Sequence, residues 1–138
     1  MKILKYCFLF LISFIFSQTL DVTFRYVKHH DENFVRIFVP GTMPDGTAND
    51  WGPNSNGVIS PNALSLMSFD SESNSYHRTY TLEIGQEYEY KFHTHHNSSG
   101  ADYSWFQDPL NPETTSGGYE NSLLVVSDPL FFQPSFHL

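Results

Sequence analysis

From Asp21 onward the chain repeats with a period of two and carries no window of convincing 3.6-residue periodicity. Val22, Phe24 and Tyr26 alternate with Thr23 and Arg25, and Tyr88, Tyr90 and Phe92 alternate with Glu89, Lys91 and His93. Successive side chains of a strand point to opposite faces, so each run sends its large apolar residues one way and its polar residues the other. The polar face of the Tyr88–His93 run is expected to meet solvent. Further strands are expected over Phe34–Val39, Leu64–Phe69, Tyr76–Leu82, around Trp105 and over Ser122–Val126, with Asp70–Ser75 as a hairpin turn between the third and fourth segments. The segment 40–62 is crowded with Gly, Pro, Asn and Asp and reads as one long loop, of the length that usually serves function. Two more loops are expected, over His95–Ser104 and Pro109–Gly118. The fold class is therefore all-β, and about seven strands in roughly a hundred residues fit an immunoglobulin-like antiparallel β-sandwich.

The 138 residues are within the size of one domain. Lys2 and Lys5 precede a nearly unbroken apolar stretch from Tyr6 to Phe16, followed by the small residue Ser17 and polar Gln18. That layout predicts a secretory signal peptide over residues 1–17, too short to span a bilayer as a helix. A sandwich domain is expected over 20–127. Residues 128–138, apolar and marked by Pro129 and Pro134, read as a linker or the start of a following domain. Cys7 lies inside the leader, so the mature chain would hold no thiol and no disulfide. The whole chain carries a formal charge of −8; without Lys2 and Lys5, fifteen acidic residues face five basic ones. Such a surface repels nucleic acid and anionic lipid and suits neutral or solvent-exposed ligands.

The chemistry-bearing residues stand in order along the second half of the chain. Gly85 is followed by Tyr88-Glu-Tyr90-Lys91-Phe92, then Trp105-Phe-Gln-Asp108-Pro109, then Asn121 before Ser122–Val126; upstream, Val39-Pro-Gly41 leads to Asn49-Asp-Trp51-Gly-Pro53. This series resembles the family 48 carbohydrate-binding modules, the early-set sandwich domains found before the barrel of many family 13 glycoside hydrolases. It is also similar to the glycogen-binding domain of the AMP-activated kinase beta subunit. The resemblance covers about residues 22 to 126. It implies that Trp51 and Trp105 stack on glucose rings and that Lys91 and Asn121 hydrogen-bond sugar hydroxyls. An indole offers a flat apolar face to the C–H side of a pyranose while its N–H stays available; lysine supplies three donors, and asparagine both a donor and an acceptor.

Each residue has a plainer reading beside this one. Trp105 could be a sandwich core indole, Lys91 a solvated lysine, and Asn121 a cap at the start of its strand. The run Met43–Ala48 and the run His93–Gly100 are longer than the family's turns, and in the last stretch the register is open by one, so either Glu120 or Asn121 fills the final site position. His93, His95 and His96 invite a metal reading, but no acidic or cysteine partner stands at a defined spacing, and no metal is expected. No cofactor is expected either. Asn97-Ser98-Ser99 is formally a glycosylation acceptor.

Asp50, Asp102, Asp108 and Glu120 fall in the loop regions, but no nucleophile motif accompanies them, and an amylase-type barrel needs about 250 residues. No catalytic residue is expected. The expectation is a secreted, non-catalytic α-glucan (starch or glycogen) binding module, an appendage of an amylase-type glycoside hydrolase. Its expected partners are the polysaccharide and a barrel C-terminal to this chain, with neither nucleic acid nor, after signal removal, membrane. A non-binding domain that packs on such a barrel is the alternative, and an unrelated adhesive sandwich is a third.

Overall fold

The computed structural model describes residues 17–44 and 51–128. The leader expected over 1–17, save Ser17, and the tail expected over 128–138, save Asp128, lie outside these residues. The described residues form ten strands and no helix: β1 (Thr19–Val27), β2 (Arg36–Phe38), β3 (Asn54–Ser55), β4 (Val58–Ile59), β5 (Ser68–Asp70), β6 (Ser75–Glu83), β7 (Glu87–Tyr90), β8 (Phe92–His95), β9 (Tyr103–Phe106) and β10 (Ser122–Val125). The fold is all-β and every pairing is antiparallel. There are more strands than the expected seven or so because Lys91 interrupts the expected Tyr88–His93 strand and the expected loop contains a small hairpin.

One layer is the sheet β1-β6-β5, in which β1 and β6 pair along their full length from Thr19↔Glu83 to Val27↔Ser75. The second layer is built on β7 and β8, consecutive along the chain; β10 flanks β7, and β2 and β9 flank β8. The apolar sets face each other between the layers, as the alternation dictates. Phe24 meets Tyr90 edge-on at 4.8 Å between ring centroids, and Tyr26 meets Phe92 at 5.1 Å. Each such pair contributes about 0.5–1.5 kcal/mol beyond its buried area. The core tyrosines reach its margins and find partners there: Tyr80 Oη donates to Val39 O, Tyr90 Oη to Asp108 Oδ2, and Tyr88 Oη accepts from Glu83 N. A phenol can close this core where a phenyl ring would leave a backbone group unpaired.

The outer face of the second layer departs from expectation. His93 and His95 point away from the core, as the alternation requires, yet both are fully buried. The cover is the β3–β4 hairpin, which falls inside the expected loop 40–62. Its two-residue turn is Asn56-Gly57, with φ of 51° and 84°, the paired left-handed conformation that twists a hairpin correctly. The hairpin lays Ile59 against Phe38 and Ala63, with Leu66 and Trp105 packed at the edge, and so forms a second, smaller core. Loop geometry is fixed at its base by Gly41, which bridges to Tyr90; a Cβ there would collide with the Glu89 carbonyl and the Met43 side chain.

Candidate functional site

Beside this hairpin is a cavity of about 480 Å³, lined by Trp51, Gly57, Lys91, Trp105, Tyr119 and Asn121. All four residues singled out from the sequence, Trp51, Lys91, Trp105 and Asn121, line it. Gly57 and Tyr119 were not among them.

Strand register brings three of the four together. Trp105 on β9 pairs with His93 on β8, so both side chains leave the same face, two residues beyond Lys91. One step past the Ser122–Tyr90 pair of β10 and β7, Asn121 and Lys91 come to facing positions. The fourth residue arrives from the loop. Trp51 is held by its N–H to Gly41 O at 3.0 Å and by Asn54 Nδ2, which donates to Trp51 O at 2.7 Å. Its φ is 67°, a region that bulky side chains rarely adopt. The two indoles lie 6.4 Å apart between ring centroids with their planes inclined by 50°. They form an open V and not a flat shelf.

The polar groups are more committed than the sequence suggests. Trp105 Nε1 donates to Gly57 O at 2.7 Å, so its N–H is not available to a ligand, and the ring is half-buried against His93 at 4.5 Å. This is a correction with a clear cause: the carbonyl comes from the hairpin turn, which the loop reading did not include. Trp105 thus combines the two readings given for it, one edge in the small core and the ring in the cavity wall. Asn121 Nδ2 donates to Glu89 Oε2 at 2.7 Å, and its backbone exchanges bonds with Thr115. What remains on Asn121 for a ligand is its acceptor oxygen and the second hydrogen of Nδ2. The Lys91 ammonium has no hydrogen bond or ion pair among the described residues; its backbone N–H donates to Pro40 O. The register left open at the end of the chain resolves with Asn121 lining this cavity and Glu120 lining the neighbouring one.

Beneath Trp105 the histidines are tuned toward neutrality. Burial, then the neighbouring His95 and His96, push His93 down to about 4 from an ordinary 6.5. Burial, then the Arg36 guanidinium, lower His95 as well. Among the described residues His93 Nδ1 and both ring nitrogens of His95 are buried without a hydrogen-bond partner, and Ile59 N–H reaches His93 Nε2 at a long 3.4 Å. His96 turns elsewhere, to Asn33 O and Ser104 Oγ. Among the described residues no three His, Cys, Asp or Glu side chains converge in a way that could hold a metal.

Of the carboxylates considered for catalysis, Asp50 is outside the described residues. Asp108 is spent on structure, accepting from Tyr90 Oη at 2.8 Å and from Leu110 N at 2.9 Å. A serine, histidine and aspartate do meet on the β5–β6 turn, but Ser75 Oγ and Asp70 Oδ2 both approach His77 through the same nitrogen, Nε2, at 2.7 and 3.9 Å. A relay needs them on opposite nitrogens. This cluster ties the turn to Arg25, whose Nε donates to Ser75 Oγ.

The chain matches no protein-family model and no curated protein.

Sequence reasoning missed the β3–β4 hairpin although Asn56-Gly57 is the strongest short hairpin signal there is. Tyr119 had no comparable signal. It follows Gly117-Gly118 in a loop, and only the closure of Thr115 onto Asn121 carries it to the cavity.

Proposed function

We propose that this protein is a non-catalytic α-glucan-binding module, secreted and related to the family 48 carbohydrate-binding domains. The observation that carries the reading is that two indoles, one ammonium without a partner among the described residues and one amide oxygen line a single cavity of about 480 Å³. That volume is within the range of small-ligand sites. The V formed by Trp51 and Trp105 suits a chain whose successive rings turn relative to one another, as α-linked glucose does, better than a flat ribbon. Lys91 supplies donors and Asn121 an acceptor, which together complement hydroxyls that both donate and accept. The fixed Trp105 N–H and the Asn121–Glu89 bond preorganise the wall, so little rotamer entropy is lost on binding.

The test is native gel electrophoresis in amylose or glycogen. Wild-type protein should be retarded and Trp51→Ala should run as if no glucan were present. Equal mobility of the wild type in gels with and without either glucan refutes the reading. A second reading, a domain that packs on a glycoside hydrolase barrel, draws on Leu110 and Val125, 89 % and 55 % exposed. It predicts no retardation and a shift in sedimentation when a separately expressed barrel is added.

A further inference from the structure

A second cavity, about 490 Å³, lies directly against the first. The two share Lys91, Trp105 and Tyr119, and Tyr119, 85 % exposed, stands between them. The walls differ in chemistry. The first is dominated by the two indoles; the second adds Gln107 and Glu120, with the bare backbone of Gly117 and Gly118 along one rim. Gln107 Nε2 donates to Glu120 O at 3.0 Å and reaches Glu120 Oε2 at 3.4 Å. That arrangement spends the donor of Gln107 and leaves acceptors: Gln107 Oε1 and the Glu120 carboxylate, beside the Lys91 ammonium.

Resting on the glucan-binding reading above, we infer that this second basin is a further subsite, which takes the next glucosyl units of the same chain. Two acceptors next to an ammonium match vicinal hydroxyls, one donating to a carboxylate while its neighbour accepts from Lys91. The Tyr119 ring offers a face to the sugar on either side of it, and the glycine rim lets a chain approach the backbone closely. Because Lys91, Trp105 and Tyr119 belong to both basins, a chain seated on the indoles runs directly into the polar one. The two basins thus form one continuous groove that reads a run of sugars and not a single residue.

The experiment is titration calorimetry with maltotriose and maltoheptaose on the wild type, Gln107→Ala and Glu120→Gln. The wild type should bind maltoheptaose the more tightly. Each substitution should weaken maltoheptaose by about three- to tenfold, the worth of one net hydrogen bond, and leave maltotriose within about twofold of the wild type. The retained maltotriose affinity also reports that the variants are folded, and Glu120→Gln keeps the side-chain shape should Gln107→Ala disturb the loop. Unchanged maltoheptaose affinity in both variants, or equal losses for the two oligosaccharides, overturns the second subsite while the binding function stands. Failure of the wild type to bind either sugar overturns the function itself, and the subsite with it.

Discussion

Acid should loosen this protein through His93, and the effect can be worked out from its surroundings. His93 is fully buried beneath the β3–β4 hairpin, faced by His95 on its own strand, Trp105 and Tyr103 on β9, and Phe38 on β2, with His96 nearby and Arg36 beside His95. Among the described residues no carboxylate contributes to its shift. Its folded pKa is about 4 against 6.5 for the exposed group. Well above pH 6.5 the imidazole is neutral whether the chain is folded or not, and it adds no pH dependence. As pH falls from there toward 4, the unfolded chain takes up the proton and the folded one does not, so stability drops by at most about 1.4 kcal/mol per pH unit. Below the folded pKa both states are protonated and the loss levels off at about 3 kcal/mol. His95, lowered in the same direction, steepens the slope. Carboxylates with lowered pKa, such as Asp70, act mainly at still lower pH, so the comparison must be made against a variant. His93→Phe keeps an aromatic ring against Trp105 and removes the titration; it strips Ile59 N–H of its long acceptor, a cost of about 1 kcal/mol that does not vary with pH. Urea unfolding of both proteins from about pH 7.5 down to about pH 4.5, followed by tryptophan fluorescence, should give curves that converge and then cross as the wild type weakens. Parallel curves would refute the argument.

Trp51→Gly should separate binding from stability: the residue sits at φ 67°, where glycine is unstrained, so relief of about 1–3 kcal/mol offsets the lost ring contacts. Its urea midpoint should stay close to that of the wild type while amylose retardation disappears; a large fall in the midpoint would show that Trp51 is a core residue. Gly57→Ala places a Cβ 3.2 Å from Tyr103 Oη at φ 84° and should destabilise by about 1–2 kcal/mol in urea, with a shift in Trp105 emission as the hairpin carbonyl moves. Gly41→Ala should be worse, because its Cβ would meet the Glu89 backbone carbonyl, which cannot move aside, as well as the Met43 side chain; a loss of about 3 kcal/mol or more, or failure to fold, is expected, and a wild-type thermal midpoint would contradict the close approach.

What was legible in the sequence follows from the range of the physics involved. The faces of Val22, Phe24 and Tyr26 and of Tyr88, Tyr90 and Phe92 are set by alternation alone, a property of neighbouring residues, and they pack inward as read. The small hairpin was legible too, in Asn56-Gly57, but a tract rich in turn formers hid it. Lys91 and Asn121 could be placed at a strand's polar face and a strand's start, yet their facing each other depends on which strand β10 joins, a choice made by long-range pairing.

Alternation along the chain, with the aromatic residues it carries, determined that this protein is built of strands around an aromatic core. Tertiary structure alone decided which polar-face residues stay wet. Lys91 and His93 share one face by the same local rule, but the β3–β4 hairpin folds over His93 and leaves Lys91 in a cavity wall. The same hairpin supplies the carbonyl that takes the Trp105 N–H, and the closure of Thr115 onto Asn121 brings Tyr119 to the groove. Solvent exposure, and with it the pKa of a histidine or the availability of an indole N–H, is set by segments remote in sequence, which no local pattern specifies.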